Sequence, residues 1–160
     1  MSNITSSVQT DLEKFKKEKL KAIYNATFKC VKDTELQAIG SLNDATRYYE
    51  GVGLEGTQFI KINDAKVTEE NGTYKGEVGV EGNSKSKAGK LAAYIEFGTG
   101  LSARTILANY PKAVQDTAYE FFETGLGTLK GRPYLFNNFL KNIETFERDL
   151  NALLEKEFKK

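Results

Sequence analysis

Apolar residues recur at steps of three and four over the first third of the chain, which is the spacing of one face of a helix. They are Val8, Leu12, Phe15, Ala22, Ile23, Ala26 and Cys30. Apolar residues at helical spacing resume after Thr34 and run to about Tyr49, and Thr34 with Gln37 has the spacing of a capping box. The pattern therefore predicts either one kinked helix or two helices divided at residues 31–34.

Alternation of apolar and polar residues replaces the helical spacing in the next part of the chain. Tyr74, Gly76, Val78 and Val80 alternate with Lys75, Glu77 and Gly79. The segment 57–68 is rich in Phe, Ile and Val, and Asn71-Gly72 between the two segments is a strong signal for a hairpin turn. We expect an antiparallel hairpin over residues 57–81 with one buried face.

The last part of the chain returns to helical spacing and predicts a second long helix that begins near Pro133. Proline suits the first turn of a helix, because the N–H that it lacks would have no intrahelical partner there. The apolar face of this helix consists of Phe136, Phe139, Ile143, Phe146, Leu150 and Leu153.

Two stretches between these elements are predicted to be less regular. Residues 82–90 are polar and basic and are typical of a flexible loop. Residues 101–131 are interpreted as a variable insertion, in which Pro111 would start a short helix through Phe122. The whole chain, 1–160, is predicted to be a single α+β domain, with a small antiparallel sheet and long N- and C-terminal helices packed on one face.

The composition excludes several kinds of site. The 160-residue chain has no His and one Cys, so Ser–His–Asp and Cys–His catalysis, His-ligated metals and intrachain disulfides are ruled out. We expect no enzymatic activity, no metal and no cofactor. Because 23 Lys and Arg balance 22 Asp and Glu, only a local basic patch could bind nucleic acid. No apolar run is long enough to span a membrane, and no secretory leader is apparent.

Two motifs invite a ligand-binding interpretation. Residues 51–56 match G-x-G-x-x-G, but the predicted helix precedes the motif and the strand follows it, the reverse of a dinucleotide site. A glycine-rich connector is the better interpretation. Lys85, Lys87 and Lys90 form a basic run that is either a solvated loop or a contact with DNA phosphates or a partner.

Glu96 is the carboxylate with the most unusual surroundings, because Tyr94-Ile95 and Phe97 flank it. A carboxylate that is withdrawn from water in this way needs a partner. Arg104 and Arg132 are the natural candidates. A structural ion pair is favoured over a hydrolase active site, since no other catalytic group accompanies Glu96.

The segment Ala92-Ala93-Tyr94-Ile95-Glu96-Phe97-Gly98-Thr99-Gly100, followed later by Gly131-Arg132-Pro133-Tyr134-Leu135-Phe136, resembles the head–tail joining, tail-completion or minor tail proteins of tailed bacteriophages. The structural motif residues are Tyr94, Glu96, Phe97, Gly98, Thr99, Arg132 and Pro133. In this interpretation Phe97 anchors a turn, Gly98 supplies its backbone freedom, and Arg132 pairs with Glu96 to fix the start of the last helix.

The resemblance implies a structural component of the virion neck that acts by assembling into a ring. It implies a hexamer and contacts with neighbouring neck and tail-tube or tail-terminator proteins. In such a ring, the alternative to a solvated 82–90 loop is a non-specific contact of its lysines with genomic DNA. The protein would occupy the host cytoplasm during assembly and then the virion, with no membrane stage. A small nucleic-acid-binding or regulatory protein that uses the 82–90 loop is the alternative.

Overall fold

The computed structural model describes residues 2–50, 59–83, 85–119 and 127–158. In chain order, the elements are α1 (Ser2–Glu50), β1 (Lys66–Glu70), β2 (Thr73–Glu77), α2 (Lys87–Phe97), α3 (Gly100–Leu107), α4 (Lys112–Tyr119) and α5 (Phe136–Phe158). The predicted α+β class is confirmed, with a two-stranded antiparallel sheet and long helices at both ends. None of the described helices is long and apolar enough to cross a membrane.

The first third of the chain is one continuous helix of 49 residues, so the alternative of two helices is wrong. Thr34 does not cap a second helix. Its side chain is fully buried, and its hydroxyl donates to the Cys30 carbonyl oxygen at 2.8 Å, one turn earlier in the same helix. At 1.5 Å per residue, α1 is about 74 Å long.

Helix α5 runs antiparallel to α1, and polar side chains pair across the seam between them. Asn142 Nδ2 donates to Thr34 Oγ1 at 3.1 Å and to Gln37 Oε1 at 3.3 Å. Four residues earlier in α5, Asn138 Nδ2 donates to Ser41 Oγ at 3.0 Å. Since Thr34 and Asn142 are both buried, their pairing fixes the register of the two helices.

The hairpin is shorter than predicted but its turn is where the sequence places it. β1 and β2 pair from Lys66↔Glu77 to Glu70↔Thr73, and Asn71 and Gly72 have positive φ values of 53° and 78°. The ladder continues only as an isolated bridge between Ile62 and Val80. The alternation of apolar and polar residues that continues to Val80 therefore corresponds to irregular pairing and not to a regular strand.

Glu35 ties the start of the hairpin to α1. Its side chain is buried, and it accepts a hydrogen bond from the Ala65 backbone N–H at 2.7 Å. The Lys32 ammonium lies 2.6 Å from its other oxygen. The hydrogen bond from Lys32, then that from Ala65, lowers the pKa of Glu35. Each oxygen of the buried Glu35 carboxylate thereby has a hydrogen-bond donor.

Two apolar clusters hold the fold together. Along α1, the first cluster comprises Ala38, Leu42, Ala45, Tyr49, Ile60, Ala92, Ile95 and Tyr134. The second cluster lies between α2, α3 and α4 and comprises Ala93, Phe97, Ala103, Leu107, Tyr110 and Ala118. Phe136 and Leu140 of α5 pack against the second cluster, whereas Tyr134 and Leu135, directly before α5, contribute to the first.

Two features of the second half of the chain differ from the predictions. The variable insertion contains two helices, α3 and α4, instead of one expected helix, and residues 120–126 lie outside the described part of the chain. Helix α5 begins at Phe136 rather than at Pro133. The G-x-G-x-x-G segment, residues 51–56, also lies outside the described residues.

Gly76→Ala is expected to destabilise the fold by about 1–3 kcal/mol. A Cβ at position 76 would lie 2.7 Å from Cγ1 of Val31, which is buried, and 3.1 Å from Cγ2 of Thr27. Gly40→Ala is the matched control: nothing lies within 4 Å of its Cβ, and alanine favours a helix by about 1 kcal/mol. Urea unfolding measures both effects, and wild-type stability in Gly76→Ala would contradict this packing of the hairpin on α1.

Candidate functional site

The two motif segments, residues 94–99 and 131–136, lie side by side although more than thirty residues separate them in sequence. The Arg132 backbone N–H donates to the Ile95 carbonyl oxygen at 2.7 Å. Gly98 forms an isolated bridge with Lys130, and the Thr99 N–H donates to the Leu129 carbonyl oxygen at 2.9 Å. Backbone hydrogen bonds therefore join the end of α2 to the approach to α5.

Glu96 completes this junction from inside the protein. Its side chain is 3 % exposed, and its carboxylate accepts three backbone hydrogen bonds. Oε2 accepts from Tyr134 at 2.7 Å and from Leu135 at 2.9 Å, and Oε1 accepts from Phe136 at 2.9 Å. N–H groups at the start of a helix have no intrahelical acceptors and lie at the positive end of its dipole. Glu96, projecting from α2, thus caps α5.

The predicted ion pair between Glu96 and Arg132 is wrong. The Arg132 guanidinium lies over the ring of Tyr48, with Cζ 3.5 Å from the ring centroid, and its side chain is exposed. Arg104, the other predicted partner, is exposed on α3. The prediction assumed that a buried carboxylate needs a cation, but three backbone donors satisfy it here.

Two backbone positions in the junction require glycine. Gly98 has a φ of 79°, and a Cβ there would lie 2.7 Å from Ser102 Oγ and closer still to Leu129 and Gly131. A Cβ on Gly131 would meet Gly98 N at 2.6 Å. The two backbone segments approach so closely that neither residue can carry a side chain.

The remaining motif residues support the same junction. Thr99 Oγ1 accepts a hydrogen bond from the Leu129 N–H at 3.0 Å. The ring of Phe97 is buried, with its centroid 5.6 Å from that of Phe136 and 5.9 Å from that of Tyr110. Tyr94 and Pro133 are partly exposed. The structure therefore brings all seven predicted motif residues to one region, with Arg132 on its outer surface.

Sequence reasoning missed the two tyrosines at the end of α1. Tyr49 is fully buried, and its hydroxyl donates to the Lys130 carbonyl oxygen. Tyr48 is 43 % exposed and supports the Arg132 guanidinium. Nothing in the local sequence signals these roles, because each depends on a contact with residues more than eighty positions later.

Burial raises the pKa of Glu96, and the hydrogen bonds from Leu135, Phe136 and Tyr134 oppose that rise. The folded chain therefore binds the Glu96 proton more tightly than the unfolded chain. It follows that the contribution of Glu96 to stability falls as pH rises from about 4.5 through the raised folded-state pKa. Burial, and then the nearby Glu96 charge, raises the pKa of Tyr110 to about 12 and also raises that of Tyr134.

A cavity of about 260 Å³ lies beside Glu96. Most of its lining is apolar, and the side-chain hydroxyls among its lining residues belong to Tyr134 and Thr117. Because both Glu96 oxygens already accept backbone hydrogen bonds, this lining provides no acid–base pair among the described residues. Among all the residues that the structure describes, no three carboxylate or thiol groups lie close enough together to hold a metal ion.

The basic run is more ordered than predicted. Helix α2 begins at Lys87, so the loop is shorter than residues 82–90. Ser86 caps the helix by accepting from the Gly89 N–H at 3.0 Å, and Asn83 Oδ1 accepts from the Lys85 N–H at 3.0 Å. Lys85 and Lys87 are exposed, whereas Lys90 is partly buried. Their contact with DNA or a partner stays a prediction.

No family model, curated protein or solved structure matches the chain. The motif residues and the junction that they form are therefore the features from which a function can be inferred.

Glu96→Ala is expected to destabilise the fold by at least about 3 kcal/mol, because the buried N–H of Tyr134 and the partly buried N–H groups of Leu135 and Phe136 lose their acceptor. Glu96→Gln keeps one carbonyl oxygen and should cost less. Glu144→Ala, at an exposed position of α5, is the control and should change stability by less than about 0.5 kcal/mol. Urea unfolding at pH 7 ranks the three variants, and a Glu96→Ala loss no larger than the Glu144→Ala loss would refute the capping role.

Proposed function

We propose that the chain is a structural component of the neck of a tailed bacteriophage or prophage, where it acts at the head–tail interface by ring assembly and not by catalysis. The observation that carries the proposal is the junction of the two motif segments, which share the order of the phage family and meet through Glu96. Residues that resemble a family motif and also contact one another support a common structural task.

The junction suits a subunit that has to keep its shape under load. It combines backbone pairing, a three-fold carboxylate cap and two positions restricted to glycine. Each of these features resists a change in the angle between α2 and α5. A rigid bracket of this kind is what a component that transmits force between a head and a tail requires.

Large apolar side chains on the surface favour protein partners. Leu12, Phe15, Leu36 and Phe59 are each at least 50 % exposed, and Tyr119 is 51 % exposed. Single exposed apolar residues are common, but three large ones along α1, Leu12, Phe15 and Leu36, suggest a surface that a partner covers. These residues support assembly over a purely monomeric regulatory role.

The proposed partners follow the family resemblance. They are other copies of the chain in a hexameric ring, neighbouring neck proteins, and tail-tube or tail-terminator proteins. Lys85, Lys87 and Lys90 would meet phosphates of the passing genome without reading its sequence. The protein would be made and assembled in the host cytoplasm and would then remain in the virion.

Deletion of the gene from the encoding phage or prophage tests this function. We expect DNA-filled heads and separate tails to accumulate, with joined particles restored by the wild-type gene supplied in trans. Electron microscopy counts the joined particles, and quantitative mass spectrometry measures copies of the chain per purified particle. Particles that lack the chain, or unchanged plaque formation after the deletion, would contradict the proposal.

A further inference from the structure

We propose that the start of α1 docks in a groove on a second copy of the chain, and that this head-to-tail contact builds the ring. The docking segment, residues 2–19, is called the arm. The groove lies between α1 and the segment 60–64. This inference rests on the proposed function, since it gives the ring its contact.

The arm extends past the rest of the protein. Asn142 of α5 faces Thr34 and Gln37, and α5 ends 16 residues later at Phe158. Because the helices are antiparallel, the end of α5 lies opposite about residue 20 of α1. Leu12 and Phe15, on the apolar stripe of the arm, are 65 % and 50 % exposed. An unsupported helix of this length is marginal in water, so the arm needs a partner.

The groove is lined by four apolar residues, Ile39, Leu42, Ile60 and Ile62, and by five polar ones. Its volume is about 500 Å³, within the range of clefts that hold ligand-sized groups. Leu42 and Ile60 are buried in it, while Ile39 remains 39 % exposed. At its edges, Leu36 precedes Ile39 by one turn, and Phe59 adjoins Ile60; both are more than half exposed. An amphipathic helix that inserts two apolar anchors matches such a groove.

The charges beside the two apolar surfaces are complementary. Over residues 2–19 the arm carries four lysines and three acidic residues, and all four lysines lie between residues 14 and 19. Two of those lysines flank its apolar stripe: Lys16 is one turn after Leu12, and Lys19 lies over the ring of Phe15. The groove is lined by Asp64 and Glu81, both exposed, and by a single lysine, Lys61. The arm of a second copy therefore fits the groove in charge as well as in polarity.

The arm cannot reach the groove of its own chain. Phe15 and Ile39 belong to the same continuous helix and lie about 36 Å apart along its axis. An arm that fills the groove must therefore come from another copy. Because arm and groove are different surfaces, the contact is heterologous, and repetition of it gives a closed ring or an open filament.

Full-length variants separate the two surfaces. The arm variant is Leu12→Gln with Phe15→Gln, and the groove variant is Asp64→Lys with Glu81→Lys. Glu13→Gln with Lys17→Gln, on the opposite side of the arm, is the matched control. Native mass spectrometry and light scattering measure the oligomeric state, and circular dichroism verifies that each variant folds. We expect wild type and control to assemble, and each of the other variants to assemble at least tenfold more weakly.

An equimolar mixture of the arm and groove variants gives the sharpest result. Each mixture partner keeps one intact surface, so we expect a one-to-one heterodimer and no larger species. Adding Lys16→Glu with Lys19→Glu to the groove variant should restore assembly by reversing both charges.

Other results would overturn the inference. If the groove variant assembles like wild type while the arm variant does not, arms pair with each other or with another protein. Wild type that stays monomeric at high concentration would also overturn it. Neither result removes the protein from purified particles, so the neck function is judged separately by the deletion and particle measurements.

Discussion

A helix that begins inside a protein has N–H groups that neither the helix nor water can satisfy, and α5 begins in this way. Tyr134, whose N–H is the first of the three donors to Glu96 in chain order, is 1 % exposed. The Glu96 carboxylate supplies the missing acceptors, because it accepts hydrogen bonds from three of these backbone N–H groups. The arrangement couples two charges of opposite sign, the carboxylate and the positive end of the helix dipole, in a buried site.

Much of the surrounding structure depends on this cap. For Glu96 to reach the start of α5, the end of α2 has to approach residues 129–132 closely, which accounts for glycine at positions 98 and 131. The same approach places the ring of Phe97 against Phe136, where the second apolar cluster meets α5. Tyr49 then holds the Lys130 carbonyl from α1. The junction therefore connects α1, α2 and α5 as one unit.

Local signals in the sequence predicted what local physics decides. Asn71-Gly72 predicted the hairpin turn, because few other residue pairs adopt two positive φ angles. The apolar spacing after Phe136 predicted α5. The prediction of a helix start at Thr34 was wrong. Its hydroxyl donates one turn back within α1 instead of capping a new helix, and Asn142 of α5 contacts the same hydroxyl. Helices α3 and α4 are eight residues each, too short for clear periodicity.

Contacts between residues far apart in the chain were harder to predict from the sequence. The aromatic neighbours of Glu96 predicted that it is buried and needs a partner, but a backbone N–H has no signature in residue type. Arg132 was predicted to be the cation that pairs with Glu96, but its guanidinium stacks on Tyr48, 84 positions earlier. The motif residues could thus be identified from the sequence, whereas the interaction that joins them required the fold.

The central claim is that the Glu96 carboxylate binds the N–H groups at the start of α5. The most direct measurement is an NMR titration that follows the Glu96 carboxyl carbon together with the amide protons of Tyr134, Leu135 and Phe136. The account predicts that all four signals titrate together with one pKa above 4.5, because burial outweighs the three hydrogen bonds. Amide signals that ignore the titration of Glu96 would contradict it.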